Sequence, residues 1–197
     1  MTREEIAFFD RLAPQWDDAE ILSTPEHVKE ILNKLPIGDG MDVLDLGTGT
    51  GVLVPYLHLL TGGEGSVTAV DISDGMLSLA IKKFGKLDNV KFLKIDFEEE
   101  SIPGKYNVIM LYSVYPHLHH PRHTLSKLLH HNLKKDGIII IAFPTDENFI
   151  NNIHKERKAE SDLLPSAQLL AERINQWGMK ACVVSASPKE YIVAITG

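Results

Sequence analysis

An apolar run, Val43-Leu44-Asp45-Leu46, opens directly into Gly47-Thr48-Gly49-Thr50-Gly51 and then into a helical stretch over roughly residues 52–61. Glycine is needed where a backbone turns sharply or a ligand lies against it. A strand, a glycine turn and a helix in that order open a layered α/β sheet, whose ligand crevice lies at the carboxyl ends of its strands. The rest of the chain keeps the rhythm. Strands are expected at Asp42–Leu46, Ser66–Ile72, Val90–Ile95, Tyr106–Val114 and Gly137–Phe143, with helices over 74–84 and 121–134 between them. Four consecutive isoleucines, 138–141, imply burial on both faces of the sheet. A helix over 165–178 precedes strands at Met179–Ala186 and Tyr191–Thr196. Their four-residue connection, Ser187-Pro188-Lys189-Glu190, can join only antiparallel neighbours. The expected fold is therefore a three-layer, doubly wound α/β domain over residues 1–197. Its sheet is mostly parallel and closes on one antiparallel hairpin.

Two segments frame this core. Residues 1–36 read as a helical prefix, with a cap at Ser23-Thr24-Pro25-Glu26 and Val28, Ile31, Leu32 and Leu35 at helical spacing. A polar stretch over 145–162 reads as a loop or lid, within a segment 145–165 suited to the substrate side.

Composition narrows the function. With 20 Lys and Arg against 27 Asp and Glu the net charge is −7, so nucleic acid is not an expected partner. One cysteine, Cys182, excludes an internal disulfide and a cysteine-based zinc site. From the charged start no signal peptide is expected, and the longest apolar run, Ile138 to Phe143, is far too short to span a membrane. A cytoplasmic location is expected. Oligomeric state is open, a homodimer included.

The glycine spacing is not that of a dinucleotide fingerprint, because Val52 stands where the third glycine would be. Asp45 would also repel a pyrophosphate and attract a cationic ligand. S-adenosylmethionine carries a sulfonium and an ammonium and no phosphate. Asp71, twenty residues after Gly51, ends the second strand and can accept two hydrogen bonds from ribose hydroxyls. Asp96 ends the third and could accept from an adenine amino group, with Phe97 against the ring. Each has a structural alternative, a helix cap for Asp71 and a turn for Asp96. The candidate cofactor set is Asp45, Gly47, Thr48, Gly49, Gly51, Asp71, Ile72, Met76, Asp96 and Phe97.

The glycine motif with Asp45, the acid at Asp71 and the pair Asp96-Phe97 resemble the motifs of class I S-adenosylmethionine-dependent methyltransferases. The likeness is clear over about residues 8–143. Tyr106–Tyr112 matches that family's fourth strand, whose end faces the sulfonium, and the resemblance thereby adds Tyr112 to the candidate cofactor residues. Leu133-Lys134-Lys135-Asp136-Gly137 resembles its turn before strand five, with Asp136 in place of a proline and Ile138 of a second glycine. The prefix Phe8-Phe9-Asp10-Arg11-Leu12-Ala13-Pro14-Gln15-Trp16-Asp17 is similar to the opening of ubiquinone/menaquinone-type methyltransferases, which usually carry tyrosine at the place of Trp16. The resemblance implies a Rossmann-like sheet in the order 3-2-1-4-5-7-6 with strand seven antiparallel, S-adenosyl-L-methionine as cofactor and a small-molecule acceptor. In-line methyl transfer needs a base only where the acceptor must lose a proton. The candidates are His117 and His119 after strand four and Asp17 in the prefix. Trp16 and Tyr115, with Tyr112, are candidate acceptor walls or core aromatics.

Six of nine histidines fall between 117 and 131. Solvated or structural roles, a part in substrate binding, and a metal site are the readings open to them; no metal is expected. His154-Lys155-Glu156-Arg157-Lys158 is basic, but Glu160 and Asp162 follow, as on a solvated face. Two rivals to an active methyltransferase remain: a non-catalytic cofactor-binding module or partner subunit, and a nicotinamide-dependent oxidoreductase. Val52 and Asp45 count against the second.

Overall fold

The computed structural model describes residues 1–19, 24–156 and 163–197. Ser23 of the expected cap and Arg157, Lys158, Glu160 and Asp162 of the basic stretch lie outside the described residues.

Seven strands form one sheet in the order β3-β2-β1-β4-β5-β7-β6. They are β1 (Asp42–Leu46), β2 (Ser66–Asp71), β3 (Val90–Lys94), β4 (Tyr106–Tyr112), β5 (Leu133–Phe143), β6 (Lys180–Ser187) and β7 (Glu190–Thr196). β7 runs antiparallel to both β5 and β6, and the remaining pairs are parallel. This is the expected fold and strand order.

Alternate side chains of the central strands feed separate cores. Ile139 and Ile141 join Leu44, Leu46, Ile109 and Leu111 on one face. Ile140 joins Val43, Val108 and Met110 on the other. Both faces are covered because helices lie on both, as the isoleucine run requires. Helices α3 (Pro25–Leu32) and α4 (Val54–Thr61) supply Val28, Ile31, Leu32, Val54 and Leu57 as buried positions, most of them in the second core. Helices α6 (Pro121–Lys127) and α8 (Ala167–Gln176) supply Leu125, Leu170 and Ile174 to the first. Helix α5 (Asp74–Phe84) links β2 to β3 and buries Met76, Leu77 and Ala80. The prefix forms α1 (Arg3–Leu12), a single 3-10 turn, α2 (Trp16–Ala19) and α3; Thr24 caps α3 by accepting from the His27 N–H at 3.3 Å.

Three local expectations change. β4 stops at Tyr112 because Ser113 takes a left-handed φ of 58°, which no strand continues through. The helix after β4 ends at Lys127 and gives way to a π-helical turn, Leu128–Asn132. Buried Asn132 pins that turn by donating to the carbonyls of Ile102 and Gly104 at 2.9 and 3.2 Å, so β5 starts at Leu133, earlier than expected. The polar stretch after β5 is helical in part, as α7 (Glu147–Glu156), and the Asp146 carboxylate accepts from the Phe149 N–H in its first turn.

Candidate functional site

The chain leaves β1 toward β2 and β3 on one side and returns to β4 on the other, so strand order reverses between β1 and β4. Such a switch point leaves a crevice at the carboxyl ends of the strands. A cavity opens there, lined by the ends and loops of the strands.

Its base is the turn after β1. Gly47 has φ of 68°, and a β-carbon there would stand 2.4 Å from a methyl of Val114, so only glycine fits. The Thr48 N–H donates to the Val70 carbonyl at 2.9 Å, which stitches the turn to β2. The Thr48 hydroxyl donates to Asp45 Oδ2 at 2.6 Å. Asp45 is almost wholly buried and does not line the cavity. Burial pushes its carboxyl up to about 7, against the Thr48 hydrogen bond and with the negative charge of Asp71 adding to the rise. Asp45 thus supports the turn from beneath rather than forming the wall. Gly51 also lies off the wall; its φ is 88° and it packs against Phe84.

Asp71 reaches the cavity from the end of β2. Its Oδ2 accepts from the Gly49 N–H at 2.8 Å and its Oδ1 from the Ser73 N–H at 2.9 Å. Burial raises its pKa, while these backbone hydrogen bonds pull the other way. The cap of α5 is made by Ser73, which accepts from the Met76 N–H at 3.1 Å. Ile72 and Met76 follow on the same wall, and Asp96 and Phe97 stand across from β3. Asp96 Oδ1 accepts from the Glu98 N–H at 3.1 Å, and the Asp96 N–H donates to Glu100, which shapes that loop. Gly47, Thr48, Gly49 and Tyr112 complete the expected cofactor residues that line the cavity.

The acceptor-side expectations divide. Trp16 and His117 line the cavity. The Phe9 ring links them, edge-on to Trp16 at 5.8 Å and to His117 at 5.4 Å between ring centres. Tyr115 does not: it turns into the core, 5% exposed, where burial raises its pKa against a hydrogen bond with Arg173 of α8. Asp17 and His119 are not in the wall either. Asp17 accepts from Thr50 at 2.6 Å and pairs with Lys83, and these bonds outweigh burial and hold its carboxyl below its ordinary value. His119 is half-exposed and paired with Glu5 at 3.2 Å.

The histidines disperse. His117 faces His154 of α7, ring centres 5.4 Å apart, so that the segment after β5 does reach the edge of the site. His130 Nδ1 donates to the Ser126 carbonyl at 2.7 Å, from the π-helical turn back onto the end of α6. Among the described residues no group of three or more His, Cys, Asp or Glu is arranged to hold a metal.

Sequence reasoning missed Met1, Phe9, Thr50, Val52, Glu98, Ser113, Val114 and Leu118 as wall residues. It also missed Asp10, whose Oδ1 accepts from the Ser73 hydroxyl and from the Gly75 N–H at 2.9 Å. Phe9 and Asp10 lay within the prefix motif and could have been singled out there. Glu98 and Leu118 carry no local signal.

Among the described residues no helix is long and apolar enough to cross a membrane. A malonyl-[acyl-carrier protein] O-methyltransferase of Acetivibrio thermocellus is 34% identical over 105 residues, 53% of this chain and 35% of that protein. A demethylmenaquinone methyltransferase of Staphylococcus aureus is 28% identical over 102 residues, 47% of this chain and 42% of that protein. The chain therefore spans less than half the length of these curated relatives. The crystal structure of a SAM-dependent methyltransferase from Aquifex aeolicus superposes with a TM-score of 0.71 at 24% identity, over 91% of this chain and 96% of that one, a likeness of fold. The sequence profile of a family described as a methyltransferase domain matches residues 37–187. That stretch runs from before β1 to the end of β6, and the chain belongs to this methyltransferase family.

Proposed function

We propose that the chain binds S-adenosyl-L-methionine in the switch-point cavity and methylates a small-molecule acceptor by in-line displacement. The observation that carries this reading is Asp71. A carboxylate offers about four lone-pair sites, and Gly49 and Ser73 occupy two. With the Ile72 N–H also directed at it, the carboxylate keeps accepting capacity for a ribose hydroxyl at the cavity wall.

The other residues fit the same ligand. A β-carbon at Gly49 would meet nothing within 4 Å, so the turn presents bare backbone to open space. Asp96 and Phe97 offer an acceptor and an aromatic edge for adenine. The cofactor supplies a methyl carbon on a cationic sulfur.

The chain's own residues have the task of alignment. Holding two reactants in line can contribute roughly 7–11 kcal/mol in well-oriented systems. Phe9, Trp16, Val114 and Leu118 give the cavity an apolar side that excludes water from a desolvated acceptor. Of the three candidate bases, His117 lines the cavity, while Asp17 and His119 are engaged elsewhere. His117 is the residue to take a proton if the acceptor must lose one. The two relatives are named for different acceptors, a carrier-bound malonyl group and a demethylmenaquinone, so family membership leaves the acceptor open.

Calorimetry against S-adenosylmethionine, S-adenosylhomocysteine, NAD and NADP tests the reading. The first two should bind, and Asp71→Ala should weaken them at least about tenfold, the scale of one lost hydrogen bond to a charged group. Binding of neither by the folded protein overturns it.

A further inference from the structure

Glu98 lines the cavity immediately after Asp96 and Phe97, yet its carboxylate is aimed at another segment. It is 7% exposed, and both oxygens are occupied. Oε2 accepts from the His119 N–H at 3.1 Å, with the Met1 ammonium 3.9 Å away. Oε1 accepts from the His120 N–H at 2.9 Å and from the Thr124 hydroxyl at 3.2 Å. Helix α6 returns the contact: Lys127 Nζ donates to the carbonyls of Glu98 and Glu100 at 2.9 and 3.0 Å.

The segment between Ser113 and His120 carries His117. Its backbone hydrogen bonds are otherwise short-range, from His117 to Val114 and from Leu118 to Tyr115, except at Ser113, which is held to Ala142. Glu98 is therefore the side chain that ties the end of this segment to the loop after β3. A buried carboxylate facing two backbone N–H groups cannot shift without leaving donors and acceptor unpaired, so displacing one loop carries an energetic cost at the other.

We propose that Glu98 is a positioning residue that couples occupancy of the cofactor cavity to the placement of His117. This rests on the cofactor reading above. A ligand seated against Asp96 and Phe97 restrains Glu98, and Glu98 restrains residues 113–124.

Glu98→Gln keeps the volume but replaces one accepting oxygen with an NH2 that faces a backbone donor. Hydrogen exchange of the purified chain, with and without S-adenosylhomocysteine, reads the result. In the free protein the His119 and His120 amides should exchange about tenfold faster in the variant, the scale of one lost hydrogen bond. In the wild type the ligand should add protection at 45–51 and 71–76 and also over 113–124, and should shift the His117 ring resonance. In Glu98→Gln the first two gains should remain, while the third and the ring shift are lost. A brace that only stabilises would speed exchange in the free protein and leave the ligand-dependent gain intact. Lys127→Met, which spares the carboxylate, should show a smaller loss of the same sign and decides the matter if Glu98→Gln fails to fold. Ligand-dependent protection over 113–124 that survives in the variants, or unchanged exchange at His119 and His120, overturns the proposal. Absence of any wild-type protection at 45–51 and 71–76 sinks the cofactor reading and the coupling with it, while exchange in the free protein still reports on the clamp.

Discussion

At the residue scale the site rests on two buried carboxylates with different partners. Asp71 is held by backbone N–H groups at the cavity wall, and Asp45 by a hydroxyl beneath the turn. The folded pKa of Asp45, about 7, stands above its ordinary 3.8, so the native state keeps a proton that the unfolded chain releases. Its contribution to stability is thus complete below the unfolded value and is lost as pH rises toward about 7. Urea denaturation should find the wild type less stable at pH 8 than at pH 5. Asp45→Asn, which keeps an acceptor for Thr48, should reduce that fall by on the order of 2 kcal/mol. Equal slopes in the two proteins would show that Asp45 is not desolvated in the folded state. Asp71, shifted in the same direction, contributes to the slope of both.

At the element scale the decisive docking is that of α1 on α5. Ser73 caps α5 from within the chain, and Asp10 caps it a second time from α1, through the Ser73 hydroxyl and the Gly75 N–H. A carboxylate at a helix N-terminus is also favoured by the helix dipole. Gly75 permits the approach: a β-carbon there would stand 3.0 Å from the Asp10 carbonyl oxygen. Asp17 and Glu5 anchor the prefix at Lys83 and His119. Phe9 and Trp16 therefore reach the cavity on a braced element. Loss of a side-chain cap costs about 1 kcal/mol, or about 2–4 °C in a domain of this size. Asp10→Ala should lower Tm by that amount and open the prefix to limited proteolysis ahead of the sheet domain. Unchanged resistance would mean that the apolar contacts of Phe9 and Trp16 hold α1 by themselves.

Across the whole molecule the two ends of the sheet have different tasks. At the amino ends Lys134 donates to Asp42 and Asn107, and Ser66 donates to Asp42, a brace remote from the cavity. At the carboxyl ends the strands stop and their loops line it. The middle is apolar on both faces, and Ile140, fully buried between Met110 and Ala194, sits at its centre. Ile140→Ala should cost about 2–5 kcal/mol in urea denaturation, and a loss below about 1 kcal/mol would contradict the two-faced core. Much of this was legible in the chain. Strand positions, the glycine turn and the acids at strand ends are periodic or local signals, because a strand's burial and a turn's φ depend on neighbours in sequence. The isoleucine run predicted two covered faces for the same reason. Partnership across the fold was not legible. Asp10 meets Ser73 across 63 residues and Glu98 meets His120 across 22, and no spacing rule connects such pairs. The sequence offers Asp17 as a candidate base without showing its pairing with Lys83, and offers Tyr115 as wall or core aromatic, a choice made only by packing toward Arg173. Sequence alone determined which strands form and where their carboxylates end. Tertiary structure decided which side chains face the cavity and which brace it, because that choice depends on distances in space that only the packed chain creates.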